Sequence, residues 1–239
     1  QVESELWIRL PGTATSGTTG YVQFDKTIAR LSNVPHTPIQ LNGALVLRGK
    51  LTGNQTVVAA QHIVRFSDTT SHWAGTVLEE LAAKWIIDGQ TGTNYQPDMN
   101  ITRAEFAVMV AKGLGLTGSQ ETAQRFGDVS YGTTTSAYIG AAAKAGIITG
   151  NTDGTFKPNN LITREQMAIM MVRALDYGKK PVTLKASAAA TLSKFKDNKK
   201  VQSKEEVAKA VQEGIIQGMT STTFQPTGNA TRAQAAVML

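Results

Sequence analysis

The chain has 239 residues, with 24 Lys plus Arg against 18 Asp plus Glu, a formal net charge of +6 and no cysteine. Without cysteine there is no disulfide scaffold, iron–sulfur cluster or thiolate zinc site. No apolar run approaches the ~18 residues of a membrane helix, so no membrane insertion is expected. The composition, 41 % hydrophobic and 18 % charged, is that of a globular protein. The chain begins at Gln1 rather than Met and reaches Leu239 inside an amphipathic pattern, so it reads as a piece of a longer protein.

Residues 1–65 read as strands. Ser4 to Leu10 alternates at period 2, and Gly20–Phe24, Ala44–Arg48 and Thr56–Phe66 are rich in β-formers. Turn signals separate them: Pro11-Gly12, the Thr/Gly/Ser stretch 13–20, Pro35 to Pro38, Asn42-Gly43 and Gly53-Asn54. This pattern predicts a small antiparallel sheet or part of a sandwich.

From residue 66 the texture changes and the sequence repeats. Phe66-Ser67-Asp68 recurs as Phe126-Gly127-Asp128 and Phe195-Lys196-Asp197. Ile86-Ile87-Asp88-Gly89 recurs as Ile147-Ile148-Thr149-Gly150 and Ile215-Ile216-Gln217-Gly218. Tyr95-Gln96-Pro97, Phe156-Lys157-Pro158 and Phe224-Gln225-Pro226 follow, then Thr102-Arg103, Thr163-Arg164 and Thr231-Arg232. In every copy 16 positions separate the second isoleucine from the arginine, and 8 separate the aromatic from it. The loop is therefore a fixed unit, while the link around Gly178 to Ser193 varies in length. A period of this kind marks a repeat architecture.

Each repeat reads as helix, glycine-rich loop, helix. Residues 72–85 predict the first helix, with Trp73, Val77, Leu78, Leu81 and Trp85 as its apolar stripe; Tyr138–Ala145 and Glu205–Gln212 are its counterparts. Gly89, Gly150 and Gly218 are the expected stop signals, where φ > 0 is allowed. Leu81, Ile86, Met109, Ile147, Ile169, Met170, Ile215 and Val237 are the expected core.

The second helix starts at each Thr-Arg. Thr102-Arg103-Ala104-Glu105, Thr163-Arg164-Glu165-Gln166 and Thr231-Arg232-Ala233-Gln234 all fit the capping box. The threonines thus have a structural explanation. The arginines sit at the first helical position, where a cation opposes the helix dipole at a cost of roughly 0.3–1 kcal/mol. A guanidinium beside free helix-terminal amides makes an anion site. The alternative is an ion pair with Asp68, Asp128 or Asp197. On the ligand reading, Arg→Ala should weaken binding and leave stability almost unchanged.

Phe-Ser-Asp…His-Trp-Ala…Ile-Ile-x-Gly…Phe-x-Pro…Ile-Thr-Arg-Ala-Glu, three times over residues 66–239, resembles the S-layer homology domain. The resemblance implies a mainly α fold: three helix-loop-helix repeats in a pseudo-threefold arrangement around a central helix bundle, beside an N-terminal antiparallel β region. It divides the chain into residues 1–65, a first repeat 66–125, a second with its linker 126–194 and a third 195–239. It implies a secreted protein of the bacterial cell surface, held non-covalently to an anionic, pyruvylated cell-wall polysaccharide in grooves between repeats. The ligand set it implies is Arg103, Arg164, Arg232, Trp73, Asp68, Asp128, Asp197, Gly89, Gly150, Gly218 and Thr163. Trp73 departs from strict repetition: Thr134 and Gln202 stand at the equivalent positions. It is either a sugar platform or part of the core. The third copy is short, which favours the grooves of Arg103 and Arg164.

Three alternatives remain beside that reading. One is a lattice segment that self-associates in a surface layer, and another is the C-terminal anchor of a glycan-active enzyme. The third is a catalytic function for this chain itself. His36, His62 and His72 are scattered, and no nucleophile elbow, phosphate loop or dinucleotide fingerprint occurs. No catalytic residue, metal or cofactor is nominated. The helices lack the basic stripe that nucleic acid requires.

Overall fold

The computed structural model describes residues 3–27, 30–52 and 56–239; the turn signal at Gly53-Asn54 lies outside them. Six strands come first: β1 (Glu3–Arg9), β2 (Thr19–Asp25), β3 (Arg30–Val34), β4 (His36–Leu41), β5 (Ala44–Thr52) and β6 (Val57–Gln61). They form two three-stranded antiparallel sheets, ordered β1-β5-β4 and β3-β2-β6. Between the sheets lies a small core of Leu10, Tyr21, Val34 and Leu47. The fully buried Tyr21 keeps its hydroxyl satisfied by donating to the Leu47 carbonyl at 2.7 Å. The segment read as a turn at Pro35 to Pro38 contains the start of β4. Pro38 is tolerated there because β4 is an edge strand.

Among the described residues eight α-helices follow: α1 (Gly75–Ala83), α2 (Arg103–Gly113), α3 (Gln120–Ala123), α4 (Thr134–Lys144), α5 (Arg164–Tyr177), α6 (Ala188–Leu192), α7 (Lys204–Gln212) and α8 (Arg232–Val237). The expectation of a mainly α chain is corrected: the protein is 31 % helical and 20 % strand, a mixture of the two. The strands occupy most of the first 61 residues, and within each repeat long loops separate short helices. Past residue 61, β-pairing among the described residues is confined to isolated bridges.

The repeats interlock in a ring. The second helix of each packs on the first helix of the next: α2 on α4, α5 on α7, and α8 back on α1. Bridges Thr102↔Leu161, Thr163↔Asn229 and Asn100↔Thr231 join the segments that lead into α2, α5 and α8. One continuous apolar core runs through all three repeats. Of the expected core residues, Ile86, Met109, Ile147 and Met170 are buried and Leu81, Ile169 and Ile215 half-buried; Val237 is 45 % exposed.

The first helix of a repeat ends one or two residues early in two copies, at Ala83 and Lys144, and at the expected Gln212 in the third. The left-handed residue after it is Trp85 (φ 58°), Gly146 (φ 74°) or Gly214 (φ 72°). Of the three predicted stop glycines, only Gly150 has φ > 0. What these three share is a close approach by the phenylalanine that opens the repeat. A Cβ on Gly89 would lie 3.3 Å from Phe66 Cε1, one on Gly218 2.6 Å from Phe195 Cε1, and one on Gly150 would overlap Phe126.

The β-region docks against the repeats. Asn33 donates to the carbonyls of Lys112 and Gly113 at the end of α2, at 3.3 and 3.2 Å. The buried Asp25 accepts from the Gly118 N–H at 3.0 Å. His62 stacks on Trp85 with ring centroids 4.3 Å apart.

Candidate functional site

The three Thr-Arg segments occupy the junctions between repeats. Thr102, Thr163 and Thr231 each cap their helix in a full capping box, the hydroxyl accepting from the amide three residues on. The first two amides of each helix are not free for an anion, contrary to the sequence expectation. Arg103 and Ala104 donate to the carbonyls of Asn160 and Pro158. Arg164 and Glu165 donate to Gly228 and Pro226, and Arg232 and Ala233 to Met99 and Pro97, all at 2.8–3.1 Å. The proline loop of the next repeat has taken the orphan donors that a helix start exposes. What remains for a ligand is the guanidinium.

Each guanidinium is seated on the aromatic of the next repeat. Arg103 Nε donates to the Phe156 carbonyl at 2.9 Å, Arg164 Nε to Phe224 at 2.9 Å and Arg232 Nε to Tyr95 at 3.0 Å. The guanidinium carbons lie 4.8, 5.1 and 4.4 Å from the centroids of the same rings. One hydrogen bond and one cation–π contact therefore fix the orientation of each planar group. Burial pulls Arg103 and Arg164 below the usual arginine value, and the charges of Asp128 and Asp197 oppose that shift.

The three differ beyond Nε. Arg164 and Arg232 are 6 % and 5 % exposed, whereas Arg103 is half-buried. Arg164 also donates through Nη2 to the Gln217 carbonyl, next to Gly218. Arg232 Nη1 pairs with Glu105 Oε1 at 2.6 Å, and Gln90 Nε2 donates to the same oxygen at 2.8 Å. Among the described residues, neither terminal nitrogen of Arg103 has a protein partner.

Asp68, Asp128 and Asp197 do not seal these arginines in ion pairs. Each carboxylate instead accepts two backbone N–H groups: Tyr95 and Gln96, Phe156 and Lys157, or Phe224 and Gln225, at 2.7–2.9 Å. Gln96, Lys157 and Gln225 have φ of 60°, 58° and 57°, each immediately before a proline. The aspartate thus holds a left-handed, non-glycine residue that carries no sequence signal of its own. Desolvation pushes Asp68 and Asp197 up, but the two amide donors outweigh it and leave both below the usual carboxylate value. The native state therefore favours the ionised form. Its contribution is complete above the unfolded-state value and is lost as pH falls through the lower native one. Denaturant midpoints should decline on acidification below the ordinary carboxylate range. Asp68→Asn plus Asp197→Asn should lower stability at neutral pH and flatten that decline.

Trp73 is 66 % exposed, which corrects its reading as core. It precedes α1 rather than lying on it, beside His72 at a centroid distance of 5.4 Å. His72 Nε2 is 3.4 Å from Asp98, and the next residue, Met99, accepts the Arg232 N–H. Trp73 thus adjoins, through His72, the 98–99 loop of the Arg232 junction. That junction also holds a cavity of about 220 Å³ whose lining includes Ile86, Gly89, Gln90, Glu105, Lys112 and Arg232. Thr163 is half-buried with its hydroxyl engaged in the cap. The structure thus brings each arginine to the loop of the following repeat. The Arg232–Glu105–Gln90 set is a feature that repeat spacing alone did not expose.

The sequence model of the S-layer homology domain matches residues 65–107, 125–168 and 194–236. Among similar proteins, the Exoglucanase XynX of Acetivibrio thermocellus is 38 % identical over 82 % of this chain and 17 % of its own length. The Amylopullulanase of Thermoanaerobacterium thermosulfurigenes is 34 % identical over 80 % of this chain and 10 % of its own. An S-layer protein of Bacillus thuringiensis subsp. finitimus is 32 % identical over 69 % of this chain and 19 % of its own. The chain thus spans less than a fifth of each of these relatives. With the three matched segments covering more than half of its residues, the chain belongs to the S-layer homology domain family.

Proposed function

We propose that this chain holds a surface protein to the bacterial cell wall by binding an anionic, pyruvylated polysaccharide in the grooves between repeats. S-layer homology domains are cell-wall anchoring, non-catalytic domains found on surface proteins. No helix among the described residues is long and apolar enough to cross a membrane. The finer reading rests on one observation. The Arg103 guanidinium is fixed through Nε and its ring contact, while both terminal nitrogens lack a protein partner among the described residues. A pre-oriented fork of N–H donors suits a ketal carboxylate, which takes two parallel hydrogen bonds. The division into residues 66–125, 126–194 and 195–239, with 1–65 as a β-rich part of the surface protein, belongs to the same proposal. The relatives include glycan-active enzymes and S-layer proteins, and an anchor serves either.

Calorimetry with a pyruvylated amino-sugar glycoside tests it. Charge-assisted hydrogen bonds are worth about 1.5–3 kcal/mol, so Arg103→Lys, which loses the fork but keeps the charge, should weaken binding roughly ten- to hundredfold. Unchanged affinity in Arg103→Lys, or equal affinity for the sugar without its pyruvate, would contradict the reading.

A further inference from the structure

The three arginines share a seat but face different neighbours. In the first repeat the capping-box residue is Glu105; ten residues after the aromatic in the other two repeats stand Gln166 and Gln234. All three make the cap bond through one oxygen. Glu105 Oε2 accepts from Thr102 N at 2.8 Å, Gln166 Oε1 from Thr163 N at 3.2 Å and Gln234 Oε1 from Thr231 N at 3.1 Å. That bond fixes the remaining atom: an oxygen in Glu105, an amide NH2 in the two glutamines. In the first repeat the remaining oxygen receives Arg232 Nη1 and Gln90 Nε2. In the other two, the amide nitrogen has no partner among the described residues.

We propose that Glu105 is the specificity-determining residue that closes the Arg232 groove to anions, leaving the Arg103 and Arg164 grooves as the anion-binding pair. The proposal rests on the anion reading of these grooves. Glu105 supplies from within the chain the carboxylate that a ligand would otherwise bring, an ion pair that neither Arg103 nor Arg164 makes among the described residues. The cavity beside it is balanced in charge, with Asp88 against Lys112 and Glu105 against Arg232. An anionic group entering there must displace Glu105 and leave that carboxylate without its partner. Opposite Arg103 and Arg164, by the same spacing, a glutamine amide adds a donor beside the guanidinium instead of an acceptor. The Arg232 groove then suits an uncharged sugar.

The test reads each arginine separately. Every Nε–H is held on a carbonyl, so the three Nε–Hε resonances of the 15N-arginine-labelled chain can be followed during titration with a pyruvylated amino-sugar glycoside. In the wild type, Arg103 and Arg164 should shift in a saturable way while Arg232 stays still. Glu105→Gln keeps the cap bond and should make Arg232 respond as well. Gln166→Glu, the converse change, should weaken the Arg103 response at least tenfold. If Arg232 responds in the wild type as strongly as the others, Glu105 is not the selector. The same follows if Glu105→Gln, folded by its melting curve, leaves Arg232 silent. If none of the three responds, the anion reading itself falls and the selector role falls with it.

Discussion

Arg164→Ala is expected to lower the melting temperature by on the order of 10 °C, although the residue lies at a helix start where Ala is no worse for the helix itself. The guanidinium is 6 % exposed and donates to two carbonyls of the third repeat, those of Phe224 and Gln217. Truncation leaves both acceptors without a protein partner, at about 1–3 kcal/mol for each buried group left unpaired. It also removes the cation from the face of Phe224. The capping box of Thr163 and Gln166 survives, so helix propensity does not offset the loss. This revises the expectation from sequence, where an arginine at the first helical position looked dispensable for stability. Arg103→Ala should cost less, since the Arg103 side chain makes a single hydrogen bond among the described residues and is only half-buried. Matched melting curves of the two variants check the order; a larger drop for Arg103→Ala would contradict it.

Gly140→Ala should also destabilise, and here helix propensity predicts the opposite sign. Gly140 lies inside α4, where Ala would ordinarily gain about 0.5–1 kcal/mol. A Cβ there would overlap the Ser119 carbonyl oxygen and lie 2.8 Å from the Ala123 amide nitrogen. Both are backbone atoms at the ends of α3, so no side chain can move aside. Overpacking of this kind costs about 1–3 kcal/mol, occasionally more, and the α3–α4 contact must open. Gly127→Ala is the control, since its Cβ would meet nothing within 4 Å. Urea midpoints should fall clearly for Gly140→Ala and barely move for Gly127→Ala.

Much of this architecture was legible because it rests on strict spacing. The equal intervals from isoleucine to arginine reflect loops pinned at the aromatic, whose amide an aspartate of the same repeat holds and whose carbonyl the arginine of the preceding repeat holds. The capping boxes were legible for the same reason, since their chemistry is local. The parts that misled were tertiary. Trp73 looks like core because it keeps helical spacing with Val77, but the helix begins only at Gly75. Gly146 and Gly214, the positive-φ residues that end two first helices, were overshadowed by the more regular Gly89, Gly150 and Gly218. The helix-terminal amides look available in the sequence because the proline loops that accept from them belong to neighbouring repeats. The share of strand was understated because β3 and β4 meet at Pro35, where sequence shows only a turn signal.

The central claim is that an anionic wall polymer is what this chain holds. Co-sedimentation with purified cell-wall sacculi, before and after chemical removal of the secondary polymer, tests it most directly. The chain should pellet with intact sacculi and stay in the supernatant once the polymer is stripped, with Arg103→Lys pelleting much less in the first case. Equal pelleting on intact and stripped sacculi would contradict the account.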